Sequence, residues 1–207
     1  MRIGVMGGTF DPIHRGHVQV ADQVARALDL DQVVFVPAGS PWMKQAPGAS
    51  AADRLAMVQL AIDGDDRFIA SRVDVDRPGP TYAVDTLSDL QREFATVHPA
   101  IDANWLFIVG ADALADFMEW HDPGRILELA DLVGVTRPGH ALTAPPIPAE
   151  RLTLLEVASL DISSSTIRHL VAIGAPIEEL VAPSVAQYIA EHELYQQVEG
   201  QDRDGSR

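Results

Sequence analysis

Two histidines near the beginning of the chain have the residue type and spacing of an anion-binding catalytic site. His14 and His17 lie three residues apart where an apolar run gives way to a helical pattern, so their rings lie on neighbouring sides of one turn. Gly7 and Gly8 precede them and leave no side chain between the backbone N–H groups and an incoming anion. The start of the helix adds a partial positive charge. These features predict a loop that binds phosphate groups.

A second cluster of polar residues, near the other end of the chain, suits the same kind of ligand. Residues 163–166 are Ser-Ser-Ser-Thr at a predicted helix start, and Arg168 follows on the next turn. Hydroxyls, unpaired N–H groups and a guanidinium in one place favour an anion. Because serine and threonine are also the commonest N-cap residues, structural capping explains this segment when it is taken alone.

The sequence lacks the residues that several other chemistries need. The sequence has no cysteine and neither a G-x-x-x-x-G-K-[ST] nor a G-x-G-x-x-G pattern, which disfavours thiol catalysis, a Walker loop and a dinucleotide site for hydride transfer. His14 and His17 could contribute to a zinc site, but no third ligand cluster accompanies them in the sequence. We therefore predict no metal held by protein ligands.

The charge of the chain limits its partners. Thirty acidic residues against 15 basic ones give a formal net charge of −15, so we expect neither polymeric nucleic acid nor a membrane surface as a partner. An anionic substrate must then meet the few cations, of which Lys44 is the only lysine. No apolar run approaches the roughly 18 residues of a membrane span, and the beginning of the chain does not have the pattern of a signal peptide, so we expect a cytoplasmic protein. The sequence leaves a homo-oligomer open.

Apolar runs and helical patterns alternate along the chain. Strands are predicted at 2–5, 32–36, 68–73, 104–109, 132–136 and 152–157. Helices are predicted from residue 18, over 50–64, 81–94, 125–130 and 161–174, and from residue 183. This alternation predicts an α/β fold, a Rossmann-like doubly wound parallel sheet with a small C-terminal helical subdomain. We expect one domain over 1–195, with a core of about 1–157 and a helical part of about 158–195, and a disordered tail at 196–207.

The end motifs together point to one superfamily. Gly-Gly-Thr-Phe-Asp-Pro-Ile-His-Arg-Gly-His at 7–17, with Ile-Ser-Ser-Ser-Thr-Ile-Arg at 162–168, resembles the HxGH nucleotidyltransferase superfamily. Between them, Trp120 and segments 41–44, 79–86, 110–112 and 137–139 are similar to those of the bacterial nicotinate-mononucleotide adenylyltransferase family. The resemblance extends from Arg2 to about Tyr195, and the two end motifs together are highly specific.

The resemblance implies a reaction. ATP and nicotinate mononucleotide would give nicotinate adenine dinucleotide and pyrophosphate, with Mg²⁺ bound to the ATP phosphates, on the way to NAD. The nucleophile would be the 5′-phosphate of the mononucleotide. A phosphate monoester with a second pKa of about 6 is largely a dianion at neutral pH, so no general base is needed to activate it.

The resemblance also implies roles for particular residues. The catalytic residues would be His14, His17, Lys44 and Arg168, with Lys44 on a long loop over the phosphates. ATP would contact Gly8, Thr9, Phe10, His17, Gly110, Asp112, Ile162, Ser163, Ser164 and Arg168, with the Asp112 carboxylate on a ribose hydroxyl. The mononucleotide would contact Thr86, Trp120 and Arg137, through its carboxylate, its ring and its phosphate respectively.

Several alternatives stay open. Trp120 could serve core packing instead of stacking on the nicotinate ring. His121 follows it where relatives often carry an aromatic residue, and Ser165 stands where threonine is common. The acceptor could be another phosphate, such as phosphopantetheine. A non-catalytic nucleotide sensor is the alternative from a different class, although such a protein would be expected to have lost one of His14, His17 and Arg168.

Overall fold

Six strands form one sheet in a computed structural model that describes residues 1–41, 46–136, 144–158 and 161–196. All neighbouring strands are parallel, in the order β3-β2-β1-β4-β5-β6. The strands are β1 (Arg2–Gly8), β2 (Gln32–Pro37), β3 (Phe68–Ala70), β4 (Asn104–Gly110), β5 (Asp131–Thr136) and β6 (Leu152–Glu156). This strand order is that of the Rossmann fold, which confirms the predicted α/β class.

Eight helices cover the two faces of this sheet in the described part of the chain. They are α1 (Arg15–Ala27), α2 (Ala51–Ile62), α3 (Val73–Asp76), α4 (Ala83–Val97), α5 (Ala111–Ala115), α6 (Pro123–Leu129), α7 (Ser164–Ala172) and α8 (Pro183–Glu191). Helices α1, α2, α7 and α8 contribute to one apolar cluster, and α3 to α6 contribute to the other. The C-terminal helices therefore share a core with α1 and α2, while the division of the domain at about residue 157 stays a prediction.

Side chains along the strands point alternately to the two buried faces of the sheet, which explains why the strand sequences are apolar at nearly every position. In β2, Val33 and Phe35 belong to the cluster under α1 and α2, whereas Val34 and Val36 belong to the cluster under α3 to α6. Successive side chains of a strand point to opposite faces, and helices bury both faces of this sheet. The continuous apolar runs in β1, β2, β4 and β5 follow from that burial.

The predicted third strand is too long. It was expected over 68–73, but β3 ends at Ala70 and Val73 begins the one-turn helix α3. The Ser71 hydroxyl accepts a hydrogen bond from the backbone N–H of Val73 at 3.3 Å, which favours the turn at this position. Within α3, Asp74 is buried, and its carboxylate accepts hydrogen bonds from Arg77 at the end of α3 and from Thr86 of α4.

Among the described residues, no helix has the length and apolar character that crossing a membrane requires.

Candidate active site

The order of the strands locates the crevice where a ligand is expected. Strands β2 and β4 flank β1 on its two sides, and the chain passes from one side of the sheet to the other between them. In open α/β sheets, ligands bind outside the carboxyl ends of the strands at such a reversal. β1 ends at Gly8 and β4 ends at Gly110, so the predicted phosphate loop and the predicted adenosine site lie at this edge.

The loop between β1 and α1 is shaped by one aromatic ring. A Cβ added at Gly8 would lie 2.9 Å from the ring of Phe10, so only glycine fits without moving that ring. Phe10 has a left-handed backbone (φ 48°), and its buried ring packs edge-on against His17 with ring centroids 5.1 Å apart. Gly7 remains exposed, and Gly8 and Thr9 remain partly exposed. The loop therefore turns its backbone outward and its aromatic side chain inward.

The two predicted catalytic histidines lie together at the start of α1. Their rings stack with centroids 3.7 Å apart, and the backbone N–H of His14 donates to Nδ1 of His17 at 3.2 Å. Since a backbone N–H can only donate, Nδ1 of His17 is an acceptor, and a neutral His17 ring carries its hydrogen on Nε2. His14 is buried and His17 is half-buried. The local structure thus orients His17 as a donor through Nε2.

The second motif docks onto the first. Ser163 is the N-cap of α7 and its hydroxyl accepts from the backbone N–H of Thr166 at 3.1 Å, as the capping interpretation expects. The Ser164 hydroxyl donates to the backbone carbonyl of Pro12 at 2.8 Å. The side chain of Ile162 is buried in the core, which leaves its backbone for any contact with a ligand. The structure therefore brings the two end motifs together, as the sequence predicts.

Arg168 makes the second connection between the motifs. Its Nη1 donates to the backbone carbonyl of Asp11 at 2.7 Å and lies 3.7 Å from the carboxylate Oδ2 of the same residue. The side chain is only partly exposed. A guanidinium thus lies beside the loop that carries His14 and His17, where it can interact with an anionic ligand.

Asp11 is a site residue that the sequence analysis missed. It is 5% exposed, and its carboxylate accepts from the backbone N–H groups of Gly48 (2.8 Å) and Ala49 (3.1 Å) and from the Tyr195 hydroxyl (2.8 Å). Burial and the neighbouring Asp11 carboxylate raise the pKa of Tyr195, so its hydroxyl stays protonated and donates. The position of Asp11 inside the first motif was the available signal, but its partners come from distant parts of the chain.

Arg54 is the second residue that was missed. It is 1% exposed, and its guanidinium donates to the carbonyls of Thr9 (2.6 Å), Gly39 (3.1 Å) and Ala49 (3.3 Å). Burial lowers the pKa of Arg54, and the charge of Asp11 opposes that shift. Its position four residues before Val58, on the apolar side of α2, was a usable signal, because a charge on a buried helix face needs partners.

Trp120 is half-buried and directly follows the short 3-10 turn Phe117–Glu119. It packs against Phe107 with centroids 6.0 Å apart and against Phe117 with centroids 5.6 Å apart. The next residue, His121, stacks on Tyr82 at 4.4 Å. Core packing therefore accounts for part of the Trp120 surface, and the rest remains available to a ligand.

The predicted role of Thr86 requires a side chain that a ligand can reach, whereas the structure buries this side chain. It is 3% exposed, and its hydroxyl lies 2.9 and 2.8 Å from the two carboxylate oxygens of the buried Asp74. Arg77 also donates to Asp74, at 2.8 Å. Burial raises the pKa of Asp74, while the hydrogen bond from Thr86 and the charge of Arg77 oppose this. The structure thus turns the Thr86 hydroxyl towards Asp74, and its contact with the nicotinate carboxylate stays a prediction.

The remaining predicted residues fall into two groups. Gly110 is the N-cap of α5 and Asp112 is an exposed residue in its first turn, both at the carboxyl end of β4. Lys44 and Arg137 lie outside the described residues. Within the described ranges, no group of three or more histidine, aspartate or glutamate side chains is placed to bind a metal ion.

The fold and the joined motifs define a nucleotidyltransferase, and the model of the cytidylyltransferase-like family matches residues 5–170. A protein named "Probable nicotinate-nucleotide adenylyltransferase" from Acidothermus cellulolyticus is 48% identical over 96% of each chain, and one from Leifsonia xyli subsp. xyli is 49% identical over 95% of each. The chain therefore belongs to the nicotinate-nucleotide adenylyltransferase family.

A solved structure agrees with this at the level of the fold. The nicotinic acid mononucleotide adenylyltransferase of Plasmodium falciparum, complexed with NaAD, superposes with a TM-score of 0.68 at 19% identity. The match covers 94% of this chain and 97% of the Plasmodium chain. The comparison thus extends over the C-terminal helices as well as the sheet.

Proposed function

We propose that this chain transfers AMP from ATP to nicotinate mononucleotide, giving nicotinate adenine dinucleotide and pyrophosphate. The observation that carries the proposal is the junction of the two end motifs, where Ser164 and Arg168 of α7 contact the backbone of residues 11 and 12. Neither segment is specific alone, and their junction would form one anion site at the carboxyl edge of the sheet. The names of the relatives at 48–49% identity support the same reaction.

The chemistry needs positioning more than it needs proton transfer. An oxygen of the acceptor 5′-phosphate forms a bond to the α-phosphorus of ATP, and the bond from that phosphorus to the bridging oxygen of pyrophosphate breaks. The acceptor is already a dianion at neutral pH, so catalysis consists of aligning two anions and stabilising the charge that moves to the leaving group.

The residues of the phosphate loop match that requirement. His17 would donate through Nε2, which its hydrogen bond from the His14 backbone orients. The backbone N–H groups of Gly8, Thr9 and Phe10 and the start of α7 at Ser163 and Ser164 would hold phosphate oxygens. Arg168 would direct its positive charge at the ATP phosphates from the other side of the crevice. Arg54 contacts backbone carbonyls and so would shape the loop without touching the ligand.

The acceptor would bind on the β4 side of the crevice. The exposed part of Trp120 offers a face for the nicotinate ring, and Asp112 would accept from a ribose hydroxyl of the adenosine. Thr86, Lys44 and Arg137 keep the roles that the family resemblance implies, at the nicotinate carboxylate and at the phosphates.

Mg²⁺ would enter with ATP. The groups around the loop are imidazoles, hydroxyls and N–H donors, which suit phosphate oxygens, and the Asp11 carboxylate already accepts from three donors. Mg²⁺ commonly keeps several waters and binds substrate phosphates with few protein ligands. Bound in that way, the ion would neutralise phosphate charge.

The decisive experiment measures pyrophosphate release from ATP with a panel of acceptors. The panel contains nicotinate mononucleotide, nicotinamide mononucleotide and phosphopantetheine, and mass spectrometry identifies each adenylylated product. We expect efficient formation of nicotinate adenine dinucleotide. Preferred adenylylation of phosphopantetheine would contradict the assigned acceptor, and tight ATP binding without turnover on any acceptor would favour the nucleotide sensor.

A further inference from the structure

Tyr195 connects the C-terminal end of the described chain to the phosphate loop. Its hydroxyl donates to Oδ1 of Asp11 at 2.8 Å, across 184 residues of sequence. The chain reaches this position through left-handed backbone at Glu193 (φ 51°) and at Tyr195 itself (φ 63°). Such conformations are unfavourable for residues other than glycine and persist where surrounding contacts hold them. The hydrogen bond to Asp11 is such a contact.

The ring of Tyr195 fits closely as well. A Cβ added at Gly48 would lie 3.1 Å from two ring atoms, so the ring packs against the backbone of the same residue whose N–H donates to Asp11. The ring of Tyr195 thus contacts Gly48 and its hydroxyl contacts Asp11, and these two residues are joined by a hydrogen bond of their own. These contacts restrict the Asp11 side chain.

Asp11 in turn touches the predicted ATP machinery. It is adjacent in sequence to Phe10, whose ring contacts His17, and its carbonyl accepts from Nη1 of Arg168 at 2.7 Å. The same Nη1 lies 3.7 Å from its carboxylate. Movement of Asp11 would therefore move the guanidinium that would face the triphosphate in the proposed ATP site.

We propose that Tyr195 is a positioning residue for ATP, acting through Asp11 on the guanidinium of Arg168. This inference rests on the proposed ATP site. Tyr195 does not itself touch the ligand: its hydroxyl holds the carboxylate that orients Arg168.

The test is the substitution Tyr195→Phe, which removes the hydroxyl and keeps the ring. We expect Kd for ATP, measured by calorimetry, to rise about tenfold, as loss of a hydrogen bond to a charged group allows. KM for ATP should rise in parallel, whereas kcat and KM for nicotinate mononucleotide should stay within about twofold of the parent values, because the acceptor side is untouched.

The chain offers a matched control in Tyr188→Phe. The Tyr188 hydroxyl donates to Oδ1 of Asp53 at 3.0 Å, so this variant loses one tyrosine–aspartate hydrogen bond from the same C-terminal segment, with Asp53 as the partner in place of Asp11. Melting temperatures of both variants are measured alongside. An unchanged Kd for ATP in Tyr195→Phe would overturn the inference. An equal rise of this Kd in both variants would also overturn it, because it would indicate a general loss of rigidity in the C-terminal segment.

A double-mutant cycle with Asp11→Asn tests the route through Asp11. If Tyr195 acts through this carboxylate, Tyr195→Phe should change Kd for ATP much less in the Asp11→Asn background than in the parent chain. Fully additive effects would contradict that route. Because Kd for ATP is measured without turnover, a parent chain that binds ATP but forms no dinucleotide would disprove the proposed reaction and still allow the role of Tyr195 to be judged.

Discussion

The hydroxyl of Ser164 donates to the backbone carbonyl of Pro12 at 2.8 Å, although 152 residues separate them. This contact and the bond from Arg168 to the Asp11 carbonyl hold the start of α7 against the loop that precedes α1. Both bonds use backbone carbonyls of the loop, so its N–H groups remain for a ligand. The two halves of the proposed phosphate site are therefore joined by hydrogen bonds of the chain itself.

The substitution His17→Ala should lower kcat by roughly 10²-fold, because it removes one preorganised donor whose hydrogen bond strengthens as charge moves to the leaving group. Steady-state pyrophosphate release measures the effect. His192→Ala is the control, since this exposed histidine at the end of α8 stacks on Tyr188 and should leave the rate unchanged. Near-normal turnover in His17→Ala would contradict the catalytic assignment.

The substitution Arg54→Met should lower the free energy of unfolding by about 3 kcal/mol or more, since it leaves one buried and two part-buried carbonyls without the buried guanidinium that donates to them. Urea denaturation followed by circular dichroism gives the value. Arg92→Met removes an ion pair from an arginine whose side chain is 74% exposed and should change the stability by no more than about 1 kcal/mol. Equal losses in the two variants would show that the buried contacts contribute little.

Lysine-selective acylation should inactivate the enzyme, and ATP should protect it, because Lys44 is the only lysine in the sequence and is predicted to reach the phosphates. Peptide mass spectrometry distinguishes modification of Lys44 from that of the terminal amine. Lys44→Arg serves as the control, since it keeps the charge and removes the reactive amine. Full activity of a chain that is completely modified at Lys44 would argue against a phosphate role.

Addition of nicotinate mononucleotide should change the tryptophan fluorescence if Trp120 stacks on the nicotinate ring. The sequence contains three tryptophans, so the signal is assigned by repeating the titration with Trp120→Phe, in which the change should be lost. Calorimetry on the parent chain establishes that the mononucleotide binds under the same conditions. Binding without any change of fluorescence would support pure core packing for Trp120.

The stability contribution of Asp74 should fall as the pH rises. Burial raises the pKa of Asp74 above 3.8, so the folded state keeps a proton that the unfolded state has already lost. That contribution is complete below 3.8 and disappears as the pH passes through the raised value. In Asp74→Asn this titration is absent, so the stability of the variant relative to the parent should rise as the pH increases from 3.8 through the raised pKa of Asp74. Urea denaturation across this range measures it, with the exposed Asp76→Asn as the control. The same pH trend in both variants would exclude burial of Asp74 as the cause.

Much of the fold follows from local sequence patterns. The runs that became β1, β2, β4 and β5 are apolar because helices bury both faces of the sheet. The helix predicted from residue 50 is α2, and Ser50 is its N-cap, with a side chain that accepts from the backbone N–H of Asp53. The third strand was overextended, because hydropathy alone does not show that Ser71 supports a turn ahead of Val73. The cytoplasmic location and the homo-oligomer remain predictions.

The site was predictable where its residues form motifs and not where they act through distant partners. His14, His17 and Arg168 stand in recognisable segments, and the structure brings those segments together. Asp11 depends on donors 37 to 184 residues away, so neither its burial nor its partners leave a local signal. The buried direction of the Thr86 hydroxyl likewise depends on Asp74, in another element.

The order in which the chain is synthesised gives the junction of α7 with the phosphate loop a further consequence. The ribosome releases the loop after β1 long before Ser164, Arg168 and Tyr195, because 152 residues separate Pro12 from Ser164. The sheet can begin to assemble during translation, because domains fold from the N-terminal side. The proposed nucleotide site, in contrast, acquires its second half only after α7 has been synthesised. A product of premature termination before α7 would therefore carry the histidines without the partners that complete an ATP site.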